Sequence, residues 1–479
     1  MTRVLSVSAI LLAMLGLAVT LIQLSTDTFT NQTSQHMTEV EPDTFAFGST
    51  IVTAFQTGRI QDGGSADIGF ATSTNGGATW TNGFLPGITT FFMGGTYTAV
   101  SDPAVAFDAA HSQWLISSLA ITNAVGKAVL VSRSSDGVTW GNPVTVNNQN
   151  SFADKEWIAC DNTSSSPFFG HCYAEWDDAG NGDQVKMSVS SDGGATWGAA
   201  NTSSGAFDLG GQPVVLPNGT VVVPMEGVIA FTSTNGGVSW TRPVTVANTT
   251  DHGVAGGLRT SPLPSAEVDA AGKVYVVWQD CRFRTGCKSN DIVMSTSTDG
   301  KTWSAVTRIP IDPTSSTVDH FIPGIAVDPT TSGSTAHLGL TFYFYTNTSC
   351  TASTCKLGVG FVSSKNGGAT WSKPARIAGP MNLSWLANTT QGRMVGDYIS
   401  TSYVNGKAFG VFAKAVAPTG GVFSEEMFTP SGGLSTASDL EPTFSSAGDQ
   451  PVPDAHSDHG PRKFYDQEGR VPIPPEKQQ

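Results

Sequence analysis

Positively charged side chains are scarce in this sequence. The 25 lysines and arginines stand against 39 aspartates and glutamates, which gives a formal net charge of −14. Nucleic acids and anionic membrane surfaces are bound by basic patches, so this balance argues against both as partners. Charged residues of either sign make up only 13% of the chain, about half the usual share. With 53 glycines and few helical patterns, the composition predicts a turn-rich, all-β protein.

Long apolar runs are absent except at the start of the chain. Residues 4–24 form an almost unbroken apolar stretch after Arg3. Its length is enough to cross a bilayer, which takes about 20 residues, whereas a signal peptide has a shorter apolar core. We expect residues 1–24 to be either a signal peptide or an uncleaved membrane anchor. In both cases the rest of the chain is exported, to an extracellular or cell-surface location.

Cysteine is also sparse, with six residues in the whole chain. They form three close pairs along the sequence: Cys160 with Cys172, Cys281 with Cys287, and Cys350 with Cys355. An even number in an exported chain favours disulfides. No histidine pair stands at ligand spacing beside them, so we expect no zinc site.

One short turn motif, in contrast, occurs six times. The copies span residues 73–80, 134–140, 191–197, 233–240, 297–303 and 364–371. In each copy an Asp or Asn side chain can bind backbone amides about two residues on, and a glycine supplies the positive φ that the turn needs. A tryptophan ends the copy and anchors it on apolar surface. Because an apolar strand precedes nearly every copy, the motif predicts a repeated β-hairpin.

The spacing of these turns indicates the architecture. Their tryptophans lie 60, 57, 43, 63 and 68 residues apart. Repetition on this scale is typical of propeller blades, each built from four short strands. The turn resembles the Asp-box, or BNR repeat, of the sialidase-like β-propeller superfamily. That resemblance implies a single propeller in which the boxes are structural and lie away from the active site.

The number of blades follows from the strand pair ahead of each box. Such pairs begin near residues 43, 102, 156, 212, 259, 322 and 397, which favours seven blades and leaves six as the alternative. The last pair has no box, and we expect it to borrow an outer strand from residues 37–40. The predicted organisation is a linker at residues 25–40, the propeller at 41–430 and a disordered, proline-rich acidic tail at 431–479.

Ligands of propellers bind at one end of the central channel, on loops that enter the innermost strands or join the second strand to the third. The polar residues at these places are Glu41, Asp43, Arg59, Asp62, Asp102, Asp154, Lys155, Glu156, Gln212, Arg259, Arg282, Asp319, His320, Arg393 and Asp397. An Asp before a strand also caps turns, so each residue has a structural alternative.

The first blade resembles the sialidases most closely, over residues 50–80. In that family this segment carries an active-site arginine and, shortly after it, the acid/base aspartate. The likeness implies that Arg59 binds an anionic or hydroxylated ligand. It also implies that Asp62 donates a proton to the leaving oxygen.

Sialidase chemistry needs further residues, which the resemblance places only by order along the chain. Arginines bind the substrate carboxylate through two parallel hydrogen bonds each, and a tyrosine nucleophile works with a glutamate. On this basis Arg259 and Arg393 complete the arginine set, and Arg282 is a further candidate for it. Tyr398 is the candidate nucleophile and Glu226 its partner.

Residues 39–43 depart from the family. Sialidases have an Arg-Ile-Pro motif on the first strand, whereas this segment reads Glu-Val-Glu-Pro-Asp. It places carboxylates where the family has a cation. An acidic channel end repels an anionic sugar such as sialic acid.

Three classes of function therefore stay open, because one propeller fold supports many functions. The first is a sialidase-superfamily exo-glycosidase acting on glycoconjugates. The second is a non-catalytic propeller that binds a glycan or a protein at the cell surface, and the third is a scaffold. We expect no cofactor other than calcium among the carboxylates, for which residues 177–183 are the densest local candidate.

Overall fold

The computed structural model describes residues 19–345, 347 and 349–436. Most of the predicted N-terminal segment and most of the predicted tail lie outside these residues. Regular structure in the described part is β-strand, apart from five single-turn 3-10 helices: Ala179–Asn181, Ala255–Gly257, Thr285–Cys287, Gly333–Thr335 and Leu383–Trp385. None of these helices has the length and apolarity to span a membrane. The prediction of an all-β fold is confirmed.

After a first strand, β1 (Leu21–Gln23), the strands follow one another in consecutive antiparallel groups. The first two groups are β2 (Glu39–Phe47), β3 (Thr50–Arg59), β4 (Ser65–Ser73) and β5 (Thr81–Phe84), then β6 (Ala99–Asp108), β7 (Gln113–Thr122), β8 (Val125–Ser134) and β9 (Val144–Asn147). The third group has three strands, β10 (Ala153–Cys160), β11 (Cys172–Asp178) and β12 (Gln184–Ser190). A bridge between Met187 and Asn201 takes the place of its fourth strand.

The remaining groups complete the series. They are β13 (Val214–Val215), β14 (Val221–Pro224), β15 (Ile229–Ser233) and β16 (Val244–Thr245), then β17 (Ser265–Val268), β18 (Val274–Asp280), β19 (Asp291–Ser297) and β20 (Thr307–Arg308), then β21 (Asp319–Val327), β22 (Leu338–Tyr345), β23 (Lys356–Ser364) and β24 (Ala375–Asn382). A small hairpin, β25 (Asn388–Thr389) and β26 (Gly392–Arg393), precedes the last group, β27 (Ser400–Val404), β28 (Lys407–Ala415), β29 (Glu425–Pro430) and β30 (Leu434–Ser435).

The first strands of the groups form a ring. β2 contacts β6, and the contacts continue in order through β10, β13, β17 and β21 to β27, which contacts β2 again. A cyclic order of sheets is the arrangement of a propeller, and seven first strands in this order favour seven blades. Because strands alternate in direction, the loops after the second strands and the loops that enter the first strands lie at the same end of the ring. We call this end the mouth.

The last group is completed from the other end of the chain. β1 pairs with β29, with Leu21 opposite Pro430 and Gln23 opposite Phe428. The expected donor, residues 37–40, contributes only an isolated bridge between Thr38 and Glu425 and the start of β2. That prediction is wrong, since the outer strand comes from the end of the apolar run. Paired structure also continues past residue 430, because β30 pairs with β28.

The hydrophobic core lies between neighbouring groups. Phe70 of the first group packs with Trp114 and Ile116 of the second in one cluster. Val222 of the fourth group packs with Trp278 of the fifth in another, and Trp278 is completely buried. Burying one large apolar side chain contributes about 1.5–3 kcal/mol, so these clusters hold each sheet against the next.

The six repeated turns are closed by the same side-chain hydrogen bonds. In the fifth copy Ser297 Oγ accepts from Gly300 N at 2.8 Å, and Asp299 Oδ1 accepts from Thr302 N at 2.7 Å and from Lys301 N at 2.8 Å. These bonds from Thr302 and Lys301 lower the pKa of Asp299 to about 2. In the third copy the serine in this role is Ser190, one residue ahead of the serine that opens the sequence motif. The turns lie at the end of the ring opposite the mouth.

The three predicted disulfides are confirmed. Cys160 is bonded to Cys172, Cys281 to Cys287 and Cys350 to Cys355. The second and third close short loops at the mouth. Disulfides persist in oxidising compartments, so these three support an extracellular location.

Candidate functional site

Four of the first strands carry a β-bulge near the mouth. The bulges contain Glu41, Asp102, Lys155 and Ile322, each with a positive φ between 41° and 55°. A bulge re-aims the side chain that it carries, and positive φ in non-glycine residues is concentrated at functional sites. Three of the four residues are charged, so the bulges bring charge to the first strands of the first three groups.

Lys155 is the one positively charged residue among these four bulge residues, and its side chain is buried. Its Nζ lies 3.4 Å from the ring centroid of Tyr398 and 5.5 Å from that of Trp157. Burial raises the pKa of Glu156 and Glu175, and the charge of Lys155 opposes that rise. The cavity beside these rings has a volume of about 10 Å³, which is the space of about one water molecule. It is too small for a sugar ring.

A buried ion pair lies next to this group. Arg259 Nε donates to Asp397 Oδ1 at 2.9 Å, and a second guanidinium nitrogen donates to the other carboxylate oxygen. Asp397 N donates to Glu41 Oε1 at 3.3 Å, and Gln56 donates to the second oxygen of Glu41. Burial, followed by the charges of Asp102 and Asp397, raises the pKa of Glu41 well above its usual value. The ion pair, Glu41 and Gln56 are thus linked by hydrogen bonds within the ring.

The other predicted arginines are also engaged by the protein. Arg59 donates to the carbonyl oxygens of Ile60, at 2.8 Å, and Gly64. Arg282 binds the carboxylate of Asp280 through two bonds of 2.9 and 2.7 Å. Arg393 donates to the carbonyl of Leu386, and its own carbonyl accepts from Arg259 N at 2.7 Å. Arg259 and Arg393 are thus neighbours through their backbones, while each guanidinium bonds elsewhere.

The three predicted catalytic residues lie apart in different environments. Asp62 is exposed in the turn between β3 and β4. Glu226 is half-buried in the turn between β14 and β15, where its backbone N donates to Leu209 O at 2.9 Å. Tyr398 is buried, and its hydroxyl donates to Pro103 O at 3.1 Å. After burial itself, the carboxylates that act on the pKa of Tyr398 are those of Glu41, Asp102, Glu156 and Asp43, not Glu226.

A histidine that the sequence did not single out lies at the mouth. His252 is in the loop between β16 and β17, and its Nδ1 is 3.1 Å from Oδ2 of Asp319, the first residue of β21. Asp319 is fully buried, whereas the His252 side chain is 23% exposed. The hydrogen bond from the ring to Asp319 raises the pKa of His252. With the proton on Nδ1 directed to the carboxylate, Nε2 is the nitrogen left for a ligand.

Asn290 fixes both members of this pair. Its backbone N donates to Asp319 Oδ1 at 2.7 Å, and its Oδ1 accepts from His252 N at 2.8 Å. The Nδ2 of Asn290 returns a bond of 2.8 Å to the carbonyl of His252. Tyr345 stands opposite Asp319 in the sheet, and its buried hydroxyl has no hydrogen-bond partner among the described residues. Asn290 therefore positions both members of the pair, and the His252 side chain stays partly exposed.

A possible metal cluster lies close by. Among the described residues, Asp291, Asp312 and His320 are the one trio of ligand atoms within 4.8 Å of one another. Arg284 and Arg308 both contact Asp291 and Asp312. The guanidinium charges already balance the two carboxylates, so this trio does not fit a metal ion.

Comparisons with known proteins bear on the fold. No protein-family model matches the chain, and a search of curated proteins found no relative. Among solved structures it is similar to a polysaccharide lyase described as an ulvan lyase bound to -[GlcA(1-4)Rha3S]-, with 10% identity, a TM-score of 0.51 and coverage of 88% of this chain and 98% of that one.

Two further structures are similar at lower scores. One is a protein of unknown function from Dyadobacter fermentans, with 15% identity, a TM-score of 0.45 and coverage of 73% of this chain and 99% of that one. The other is the NanB sialidase from Streptococcus pneumoniae, with 13% identity, a TM-score of 0.42 and coverage of 86% and 70%. At these identities the likeness to the lyase shows a shared fold and nothing of the reaction.

Proposed function

We propose that this protein is an exported, carbohydrate-active propeller that performs acid–base chemistry on a glycan at its mouth, with His252 as the proton-transferring group. The observation that carries this proposal is the partly exposed His252 hydrogen-bonded to the buried Asp319. A histidine so held keeps one tautomer, and histidine is the side chain that most often serves as a general acid or base.

The placement of the pair supports the proposal further. Ligand sites of closed β-structures lie at their mouths, where loops from several sheets meet. The loop that carries His252 is anchored by Thr250, whose Oγ1 donates to Asp280 Oδ1 at 2.7 Å, and by Asp251, which accepts from Gln279 at 2.9 Å. A solved structure with the same fold is a polysaccharide lyase, which makes glycans the first ligand class to test.

The sialidase-like mechanism gives a different set of essential residues. It needs Asp62 and Arg59, with Tyr398 as nucleophile. Asp62 is accessible to a ligand, but Arg59 and Tyr398 are buried and bonded to main-chain carbonyls. Substitution of His252 and of Asp62 therefore distinguishes the two mechanisms.

The test assays residues 19–436 of the protein against aryl glycosides, including an α-sialoside, and against uronate-containing polysaccharides. Elimination from a uronate is followed by the absorbance of the unsaturated product. We expect turnover that is lost in His252→Gln and kept in Asp62→Asn, with both variants shown to be folded by circular dichroism. Loss in Asp62→Asn alone would instead support the sialidase-like mechanism.

A second candidate is a glycan-binding propeller without catalysis. It is favoured by the engagement of every predicted arginine and by the small cavity beside Lys155. If no substrate is turned over by the folded wild-type protein, the acid–base proposal fails. Binding to a glycan array would then establish the second candidate.

A further inference from the structure

Two aspartates face each other across the first two strands of the third group. Asp154 of β10 and Asp177 of β11 are direct cross-strand partners, and both are buried. Like charges directly opposite one another destabilise a sheet. Asp177 is completely buried, and neither of its carboxylate oxygens has a hydrogen-bond partner among the described residues.

The charges that act most strongly on Asp177 are negative. The charged groups that act on it most strongly are Asp154, Asp183, Glu175 and Asp102, and all four are carboxylates. Lys155, which follows Asp154 in the sequence, is directed over the Tyr398 ring, and Lys186 is bonded to Asp178.

At two other places the chain itself supplies the cation for buried or partly buried aspartates. The neighbouring Asp178 is bound by Lys186, and the Asp291–Asp312 pair by two arginines. Burying a charge without a partner costs several kcal/mol.

Glu39 and Glu175 are also buried with carboxylate oxygens that are unpartnered among the described residues, but their cross-strand partners on the neighbouring strand are Thr57 and Trp157. Asp177 differs because its cross-strand partner is a second carboxylate, and a bound cation would relieve the repulsion between the two.

The turn after β11 brings another carboxylate to the same place. Asp178 holds this turn, because its carboxylate accepts from Ser151 Oγ at 2.8 Å, Phe152 N at 3.0 Å and Asn181 Nδ2 at 2.8 Å. The turn ends at Asp183, whose φ is 60° and whose charge acts on Asp177. Oxygen ligands from a strand pair and an adjoining turn suit calcium, which accepts six to eight oxygens in flexible geometry.

We propose that Asp154, Asp177 and Asp183 form a calcium site at the mouth of the third group. The carboxylates are more widely spaced than the 4.8 Å trio at Asp291, so binding draws the turn at Asp183 toward the strands. Waters and main-chain carbonyls complete the coordination. The site stabilises the third group of strands, which lacks a regular fourth strand. This proposal does not depend on the glycan proposal.

The test is calorimetry and thermal unfolding of EDTA-treated protein, titrated with CaCl₂ or MgCl₂. We expect one calcium-binding event in the wild type and a rise in its melting temperature. Asp177→Asn should lower calcium affinity at least tenfold. Without calcium, this variant should melt at or above the wild-type temperature, because a like charge has been removed.

Asp312→Asn is the matched control, since it changes a partly buried aspartate whose charge is balanced by arginines. It should lower the melting temperature and leave the calcium response intact. If Asp177→Asn does not fold, Asp154→Asn is tested in its place, and we expect the same loss of calcium affinity. Absence of binding to the wild type, or an unchanged calcium response in the folded variant, would overturn the site. A response to magnesium alone would overturn its assignment to calcium.

Discussion

The ammonium group of Lys155 lies 3.4 Å from the centre of the Tyr398 ring. A desolvated cation over an aromatic face contributes about 2 kcal/mol. The tyrosine hydroxyl is used at the same time, since it donates to Pro103 O at 3.1 Å. Burial, followed by the charge of Glu41, raises the pKa of Tyr398 well above its usual value. Tyr398 is therefore a poor nucleophile and a good support for the lysine.

We therefore expect the Tyr398→Phe variant to keep its glycan turnover. It retains the ring under Lys155 and loses one buried hydrogen bond, so the free energy of unfolding should fall by about 1 kcal/mol. Urea unfolding measures this loss. Tyr398→Leu is the control, because it also removes the aromatic face and should cost more. A folded Tyr398→Phe protein that has lost all turnover would show that the hydroxyl takes part in the reaction.

The buried pair of Arg259 and Asp397 should behave as a structural element. Their side chains are only 6% and 2% exposed. Removing one member of such a pair leaves an uncompensated charge and costs about 3–5 kcal/mol. We expect that loss in Arg259→Met and a partial recovery in the double variant Arg259→Met/Asp397→Leu, both measured by urea unfolding. If the single variant is as stable as wild type but no longer binds glycan, Arg259 is a ligand-binding residue instead.

The fold was largely predictable because its strongest signal is local. Asp299 accepts hydrogen bonds from amides two and three residues ahead, so Asp-Gly before Thr-Trp specifies the turn without help from the rest of the chain. Ring closure is different. Gln23 pairs with Phe428, and nothing around residue 23 distinguishes an outer strand from the end of an apolar membrane segment.

The candidate site was predictable only in its location. Asp319 is a predicted site residue because it lies where the chain enters a first strand. Its partner His252 lies 67 residues away in a loop and is not predicted. Arg259 and Asp397 are separated by 138 residues. The local sequence around an arginine does not show whether its guanidinium binds a substrate carboxylate or an aspartate of the same chain. Only the folded structure shows which of the two partners it has.

The repeated turns give a prediction about acid stability. The pKa of Asp136 and that of Asp299 are lowered from 3.8 to about 2, mainly by hydrogen bonds from backbone amides. A lowered pKa in the folded state contributes stability above pH 3.8 that is lost as the pH falls toward 2. Three copies of the turn carry Asn at this position, at residues 75, 235 and 366, and bind the same amides.

Asp136→Asn/Asp299→Asn should therefore melt slightly below the wild-type temperature at pH 7, because the amide oxygen still accepts the hydrogen bonds but carries no charge. Its melting temperature should fall less steeply than that of the wild type between pH 4 and pH 2. Scanning calorimetry across this range measures the difference. Asp136→Ala/Asp299→Ala, which lacks the acceptor, should be less stable at every pH. Identical pH profiles for wild type and the Asn variant would contradict the assignment.

The His252–Asp319 pair gives a prediction of opposite sign. The hydrogen bond to Asp319 raises the pKa of His252 above 6.5, so the pair stabilises the fold most fully below pH 6.5. This contribution is lost as the pH rises through the folded-state pKa. Asp319→Asn should lower the pKa of His252, and NMR titration of the imidazole protons measures the change. His320, on the same strand, is the control, because its pKa is lowered by burial and not raised by a bond to Asp319. If His252 titrates identically in both proteins, Asp319 does not orient the ring, and the acid–base assignment loses its basis.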